Sequence, residues 1–288
     1  MEQGPLEELL LERYEDMPPQ LKLAARFVLD NPQDVALSSM RDQAARAGVS
    51  HSTMMRLARW LGMDGYEDMR SSYARALRNA PPRKAAHSDA ESGVEPGLNA
   101  VGVLADSVAA HVARLGELLN AERLTQAAGT VAGAKALFVA GNAQAATAVS
   151  QFIAAMALVL PQIPVRDPLA SGGSLALAQA PSGSVLLAIG AAPYDRTLVE
   201  HAEQAAKDGV TIVAVTDSSV SPLARIAANS ILIASVDGSP FRGATPALAA
   251  LEILASLVAA QANIDIENEL KQQDDRLSAY GVLWKPPR

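Results

Sequence analysis

The hydrophobic period of this chain changes once, near residue 79, and that change limits the possible folds more than any other feature. Before it, Leu6, Leu9, Leu10 and Tyr14, and then Leu21, Ala24, Ala25, Val28 and Leu29 after the Pro18-Pro19 pair, recur at the i, i+3, i+4 spacing of helices with one apolar face. Asn31-Pro32 ends that second helix, because the residue before a proline avoids the helical region. After the change, residues 98–119 read as one helix, with Val101, Leu104, Val108, Val112 and Leu115 on a stripe. Short β-branched runs then follow at 136–140, 163–166, 185–189, 211–216 and 230–233. Helical stretches at 143–160, 174–180, 196–208 and 245–263 alternate with them. Continuous apolar strands separated by helices are the mark of a parallel sheet covered on both faces. Between the two regimes, Asn79-Ala80-Pro81-Pro82 opens a stretch of Ser, Gly, Pro and charged residues without a period. The expectation is an all-α domain over 1–78, a linker over 79–97, and an α/β domain with a doubly wound parallel sheet over 98–263. The charged tail over 264–288, with Leu270, Leu277 and Trp284 as its apolar points, reads as one more short helix or a contact with a partner subunit.

Composition removes several kinds of chemistry. With no cysteine in 288 residues, disulfides, thiolate zinc sites and cysteine nucleophiles are excluded. The four histidines, His51, His87, His111 and His201, are too scattered for a histidine metal site, and no cofactor is expected. The first residues carry acids where a secretory leader carries bases, and the longest apolar run, 245–263, is interrupted by Glu252, Ser256 and Gln261, so a cytoplasmic chain without membrane contact is expected. The net charge of −7 argues against a nucleic-acid partner only on average, since DNA affinity depends on local Lys and Arg. Residues 1–40 hold three bases and eight acids (3 − 8 = −5), whereas 41–78 hold seven arginines and four acids (7 − 4 = +3).

That basic stretch has the pattern of a helix-turn-helix. Ser39 and Asp42 are spaced to cap a first helix, and Ala44 is small enough for two helices to cross over it. Gly48 falls where the turn requires a positive φ, Ser50 caps the second helix, Val49, Met54 and Leu57 form its inner face, and Gly62 ends it. If the second helix enters the major groove, its outward residues are His51, Ser52, Thr53, Met55, Arg56 and Arg59. Ser50, Ser52 and Thr53 supply hydroxyls for phosphates or bases, and Arg56 supplies a fork suited to guanine. The bland alternative is a helical hairpin whose arginines only solvate one face.

The run from Leu21-Lys22-Leu23-Ala24-Ala25-Arg26-Phe27-Val28 to Asn31-Pro32, continued by Gly48-Val49-Ser50 and by Arg56-Leu57-Ala58-Arg59-Trp60-Leu61-Gly62-Met63-Asp64-Gly65-Tyr66, resembles the DNA-binding domain of RpiR-family transcriptional regulators. The resemblance covers nearly the whole chain. It implies a C-terminal SIS (sugar isomerase) domain that senses a metabolite, often a sugar phosphate, and it makes Tyr66 and Arg70 candidates for contact with the duplex backbone.

In a doubly wound sheet, ligands lie outside the carboxyl ends of the strands. Of the G-x-G-x-x-G dinucleotide fingerprint only Gly141 is present, so a nicotinamide enzyme is not expected. Sugar-phosphate-binding SIS domains carry G-x-G-x-S in this loop, and the matching residues here are Gly141, Ala143 and Ala145. Their second loop, typically S-x-S-G-x-T, corresponds to Gly190-Ala191-Ala192-Pro193-Tyr194-Asp195, again without hydroxyls at the matching positions. Pro193 lacks an amide donor and Asp195 opposes negative charge, whereas Val213-Ala214-Val215-Thr216-Asp217-Ser218 and Ser239-Pro240-Phe241 keep the family pattern. Gly141, Asn142, Gln144, Gly190, Tyr194 and Ser239 are therefore the candidate pocket for a sugar derivative or another metabolite, neutral or differently charged. The leading expectation is a non-enzymatic, DNA-binding regulator of metabolic genes that acts on double-stranded DNA as a homodimer or homotetramer. A sugar-phosphate isomerase, and a SIS-type scaffold that does not bind DNA, are the alternatives.

Overall fold

The computed structural model describes residues 3–79, 96–170, 173–233 and 244–282. Most of the expected linker and Ser239 lie outside these residues. The described chain divides into two compact units, a helical one ahead of residue 80 and an α/β one from residue 96 onward.

The helical unit consists of α1 (Gln3–Arg13), α2 (Pro19–Asp30), α3 (Pro32–Leu37), α4 (Met40–Arg46), α5 (His51–Trp60) and α6 (Tyr66–Asn79). Leu6, Leu10, Leu21, Val28, Val35, Met54, Leu57, Met69 and Tyr73 meet in one core. Pro19 and Pro32 each open a helix, where the missing amide is not needed. A buried polar residue locks two of these helices together. The Gln43 side-chain amide, on α4, donates to the carbonyls of Asp34 and Val35 in α3 and of Ser38 just beyond it.

The second unit opens with α7 (Pro96–Ala113), a 3₁₀ turn (Arg114–Gly116) and α8 (Leu118–Ala132). There follow β1 (Leu137–Gly141), α9 (Ala146–Val159), β2 (Val165–Arg166), α10 (Gly173–Ala178), β3 (Val185–Ile189) and α11 (Arg196–Lys207). The unit closes with β4 (Thr211–Thr216), α12 (Pro222–Ile226), β5 (Asn229–Leu232), α13 (Thr245–Gln261) and α14 (Ile266–Ala279). All four strand pairings are parallel, in the order β2-β1-β3-β4-β5. Alternate residues of each central strand feed two cores. Leu137, Val139, Leu187 and Val213 pack with α8, α9 and α13 on one face, and Phe138, Leu186 and Ile212 pack with Leu198 and Ala202 of α11 on the other.

Three expectations are corrected. The helix over 98–119 begins at Pro96 and breaks at the 3₁₀ turn, and α8 follows it unforeseen. Its inner face is Asn120, Leu124, Ala127, Ala128 and Val131, too poor in large residues to register as a period. The strand over 163–166 forms only at Val165–Arg166, at the sheet edge. At the opposite edge, Asn120 takes the place of a neighbouring strand: its side chain donates to Leu232 O at 2.7 Å and accepts from Leu232 N at 3.1 Å.

Candidate functional site

Ser39 accepts from Asp42 N and caps α4, and Ser50 accepts from Thr53 N and caps α5. Between them Gly48 has φ +66°, and Val49 N closes the turn on Ala44 O at 2.9 Å. A side chain at Gly48 would find open space but strained backbone, so its conformation and not crowding demands glycine. The inner face of α5, Met54, Leu57 and Ala58, is buried, which leaves His51, Ser52, Arg56 and Arg59 exposed on the outer face. Ser50, itself exposed, lies 2.8 Å from the Ser52 hydroxyl and 2.9 Å from that of Thr53.

Neighbouring arginines are committed elsewhere. Arg46 pairs with Asp34 at 3.0 Å over the ring of Phe27, Arg13 lies over Trp60, and Arg70 grips the Glu67 carboxylate, which the pairing holds below its ordinary pKa. Arg56 and Arg59 have no ion-pair or hydrogen-bond partner among the described residues, so two cations stand ready on one face of α5.

Two expected contact residues are corrected. Thr53 is 5% exposed and turns its hydroxyl to Ser50, inside the helix start. Tyr66 is 3% exposed, and its hydroxyl donates to Gln43 Oε1. Burial pushes this phenol well above its usual pKa. Thr53 braces the start of α5 and Tyr66 ties α6 to α4, and neither faces solvent. Gln43, with no motif to mark it, is the supporting residue that sequence reasoning missed.

The strand order turns back on itself between β1 and β3, where successive strands begin to be added on the opposite side of β1 and Gly141 pairs with Ile189. The crevice outside this point is the ligand position of open α/β sheets. Gly141 is needed for close approach: a Cβ there would lie 2.8 Å from Ala145 Cβ and 2.9 Å from Val149 Cγ2. Gly190 is buried beneath Leu198 and Leu223, and Gly141 is partly buried, so both glycines shape the crevice floor through their backbone. Asn142 accepts from Ala145 N at 3.1 Å, and Gln144 is exposed. Across the crevice, half-buried Tyr194 donates its hydroxyl to Asp217 Oδ1 at 2.9 Å, and Ala192 N donates to Asp217 Oδ2 at 3.3 Å. Asp195 caps α11 by accepting from Leu198 N at 2.9 Å. Asp217 was absent from the expected set, although its place directly after a central strand marks it for this crevice.

Residues 5–80 match the model of the rpiR-family helix-turn-helix domain, and residues 132–257 match that of the SIS domain. An uncharacterised HTH-type transcriptional regulator of Caldanaerobacter subterraneus subsp. tengcongensis is 25% identical over 273 residues, covering 91% of this chain and 92% of that protein. The chain belongs to the RpiR-type regulators. It is a DNA-binding transcriptional regulator whose SIS domain senses a small metabolite. The Vibrio vulnificus NanR protein, solved in complex with ManNAc-6P, shares the fold with a TM-score of 0.55 at 17% identity, over 94% of this chain and 98% of that one. The sugar isomerase domain of an RpiR transcription factor from Sphaerobacter thermophilus does so with a TM-score of 0.52 at 21% identity, over 63% of this chain and 99% of that one. No single described helix of this RpiR-type chain is long and apolar enough to cross a membrane.

Proposed function

We propose that α5 is the recognition helix and that Ser50, His51, Ser52, Arg56 and Arg59 make the contacts with double-stranded DNA. The observation that carries this is the pair of arginines, without an ion-pair partner among the described residues, on the exposed face of a helix whose opposite face is buried. Thr53 and Tyr66 support these contacts from within. The crevice between the ends of β1 and β3, with Gly141, Asn142, Gln144, Gly190 and Tyr194 around it, takes the metabolite, and ligand binding there changes DNA affinity by linkage. Ser239 belongs to the same set on its sequence position.

The protein works as a homo-oligomer in the cytoplasm, and it regulates without catalysing. Glu252, a conceivable general acid or base, accepts from Gln151 on α9, and His201 is hydrogen-bonded to Thr197 O and Ser174 Oγ on the α10–α11 side, which gives no common reaction centre.

Fluorescence anisotropy with a duplex from the regulated upstream region, against random duplex and across a salt series, tests the proposal. Specific binding that Arg56→Ala weakens by roughly 5- to 150-fold is expected. Equal affinity for both duplexes at every salt concentration, or indifference to Arg56→Ala together with Arg59→Ala, rejects it.

A further inference from the structure

The outer face of α5 carries one residue that hydrogen-bonding chemistry does not explain. His51, Met55 and Arg59 follow one another at the i, i+4 spacing, with Ser52 and Arg56 at the same spacing beside them, so together they form one stripe along the helix. The opposite side holds Thr53, Met54, Leu57 and Ala58, all buried. His51, Ser52, Arg56 and Arg59 are exposed and polar. Met55, in the middle of the stripe, has no hydrogen-bond donor and only a weakly accepting sulfur. It is half-buried: part of its side chain packs against the helical core and the rest reaches the surface. A methionine that served only the core would belong beside Met54, which is fully buried on the inner face. The other apolar groups of α5 are engaged elsewhere. Trp60, at the end of the helix, lies under the Arg13 guanidinium, 5.7 Å from its ring centroid, and Thr53 is turned inward.

We infer that Met55 is a specificity-determining residue of the recognition helix and reads the C5-methyl group of a thymine in the half-site. This rests on α5 being the recognition helix, and it names one base feature that the helix selects. In the major groove, thymine is marked by its methyl group, which rewards an apolar contact and not a hydrogen bond. The hydroxyls, imidazole and guanidinium groups of the stripe suit phosphates and base-edge donors and acceptors, which leaves the methyl group to Met55. A thioether side chain is flexible and polarisable, so it fits a methyl group without the strict geometry that a hydrogen bond demands. Packing already restrains part of the Met55 side chain, so it gives up less freedom on meeting the groove than a fully exposed chain would. Arg56, the next residue, has the fork suited to guanine, so the expected half-site places a thymine close to a guanine.

The test uses the full chain and the duplex from the regulated upstream region, with each thymidine in turn replaced by deoxyuridine. That replacement keeps the base pair and removes only the methyl group. Anisotropy is expected to find a position in the half-site where it weakens wild-type binding by about 3- to 5-fold, the worth of one buried methyl group. Met55→Ala and Met55→Gln, the second of similar length but polar, are expected to bind the thymidine and deoxyuridine duplexes equally, and Met55→Leu to keep the discrimination. Three substitutions of different size and polarity guard against loss of the fold in any one. A wild type indifferent to deoxyuridine at every position overturns the inference, as does discrimination that persists undiminished in both Met55→Ala and Met55→Gln. Preference of the wild type for the unsubstituted duplex over random duplex, and its dependence on Arg56, reads the recognition-helix assignment separately. If that preference holds while the methyl effect is absent, Met55 alone is misassigned; if the preference is absent, both assignments fall.

Discussion

At the scale of single residues, two buried tyrosines of the helical unit make opposite predictions. The Tyr66 hydroxyl satisfies Gln43 Oε1, so Tyr66→Phe leaves a buried acceptor without its donor and lowers stability by about 1–2 kcal/mol in urea unfolding. The Tyr73 hydroxyl is buried with no hydrogen-bond partner among the described residues, so Tyr73→Phe is neutral or raises stability, by up to about 1 kcal/mol. Burial raises the pKa of both phenols above the ordinary value near 10. In the unfolded chain they ionise near pH 10, whereas in the folded unit they stay neutral to higher pH. Their contribution is therefore complete below pH 10 and is lost as the pH climbs from there through the folded values. The helical unit is expected to lose stability between pH 10 and 12, and a Tyr66→Phe, Tyr73→Phe double variant to show a flatter profile over that range by circular dichroism. An unchanged slope in the double variant would mean that other groups govern the alkaline transition.

At the scale of elements, β1 and α9 approach closely over Gly141. Gly141→Ala places a Cβ against Ala145 and Val149, neither of which can swing aside, and overpacking of this kind costs about 1–3 kcal/mol. Gly190→Ala meets only the ends of two leucine side chains, at 3.1 and 3.2 Å, and is expected to lower the melting temperature less. The reverse order in thermal melts would show that the β3 turn, and not the β1–α9 contact, limits the crevice. These elements were largely readable from the sequence because each is a local requirement. Ser39, Gly48 and Ser50 answer to hydrogen bonds and dihedral angles within a few residues of themselves, and the central strands β1, β3 and β4 feed apolar residues to both faces because both are covered. What could not be read depends on distant partners. Tyr66 ends a motif that suggests DNA contact, yet its direction is set by Gln43, 23 residues earlier. Helix α8 is held by alanines and by the bond from Asn120 to an edge strand 112 residues away, neither of which leaves a periodic trace. Asp217 looks like an ordinary strand end until the loop after β3 is folded against it.

At the scale of the whole molecule, a chain of net charge −7 binds a polyanion, which concentrates the task on a few arginines and leaves little non-specific affinity in reserve. In the proposed homo-oligomer, a second copy supplies what one recognition helix lacks. Helix α7 is apolar on nearly every side and yet exposed, with Val101 64%, Val103 63% and Leu104 50% accessible, and Leu118 and Leu119 at the start of α8 are exposed as well. A helix apolar all round belongs in an interior, and in the proposed homo-oligomer that interior is supplied by another subunit. Two linked recognition helices bind two half-sites with an avidity about 10²–10⁴ above one, so assembly and operator affinity are expected to fail together. Introducing Val101→Asp with Leu104→Asp should shift the sedimenting species to the monomer, weaken binding to a two-fold symmetric operator by a comparable factor, and leave the affinity for a single half-site unchanged. An unaltered mass with weakened operator binding would place α7 elsewhere than in the interface. A monomer that still binds the full operator tightly would show that one α5 suffices.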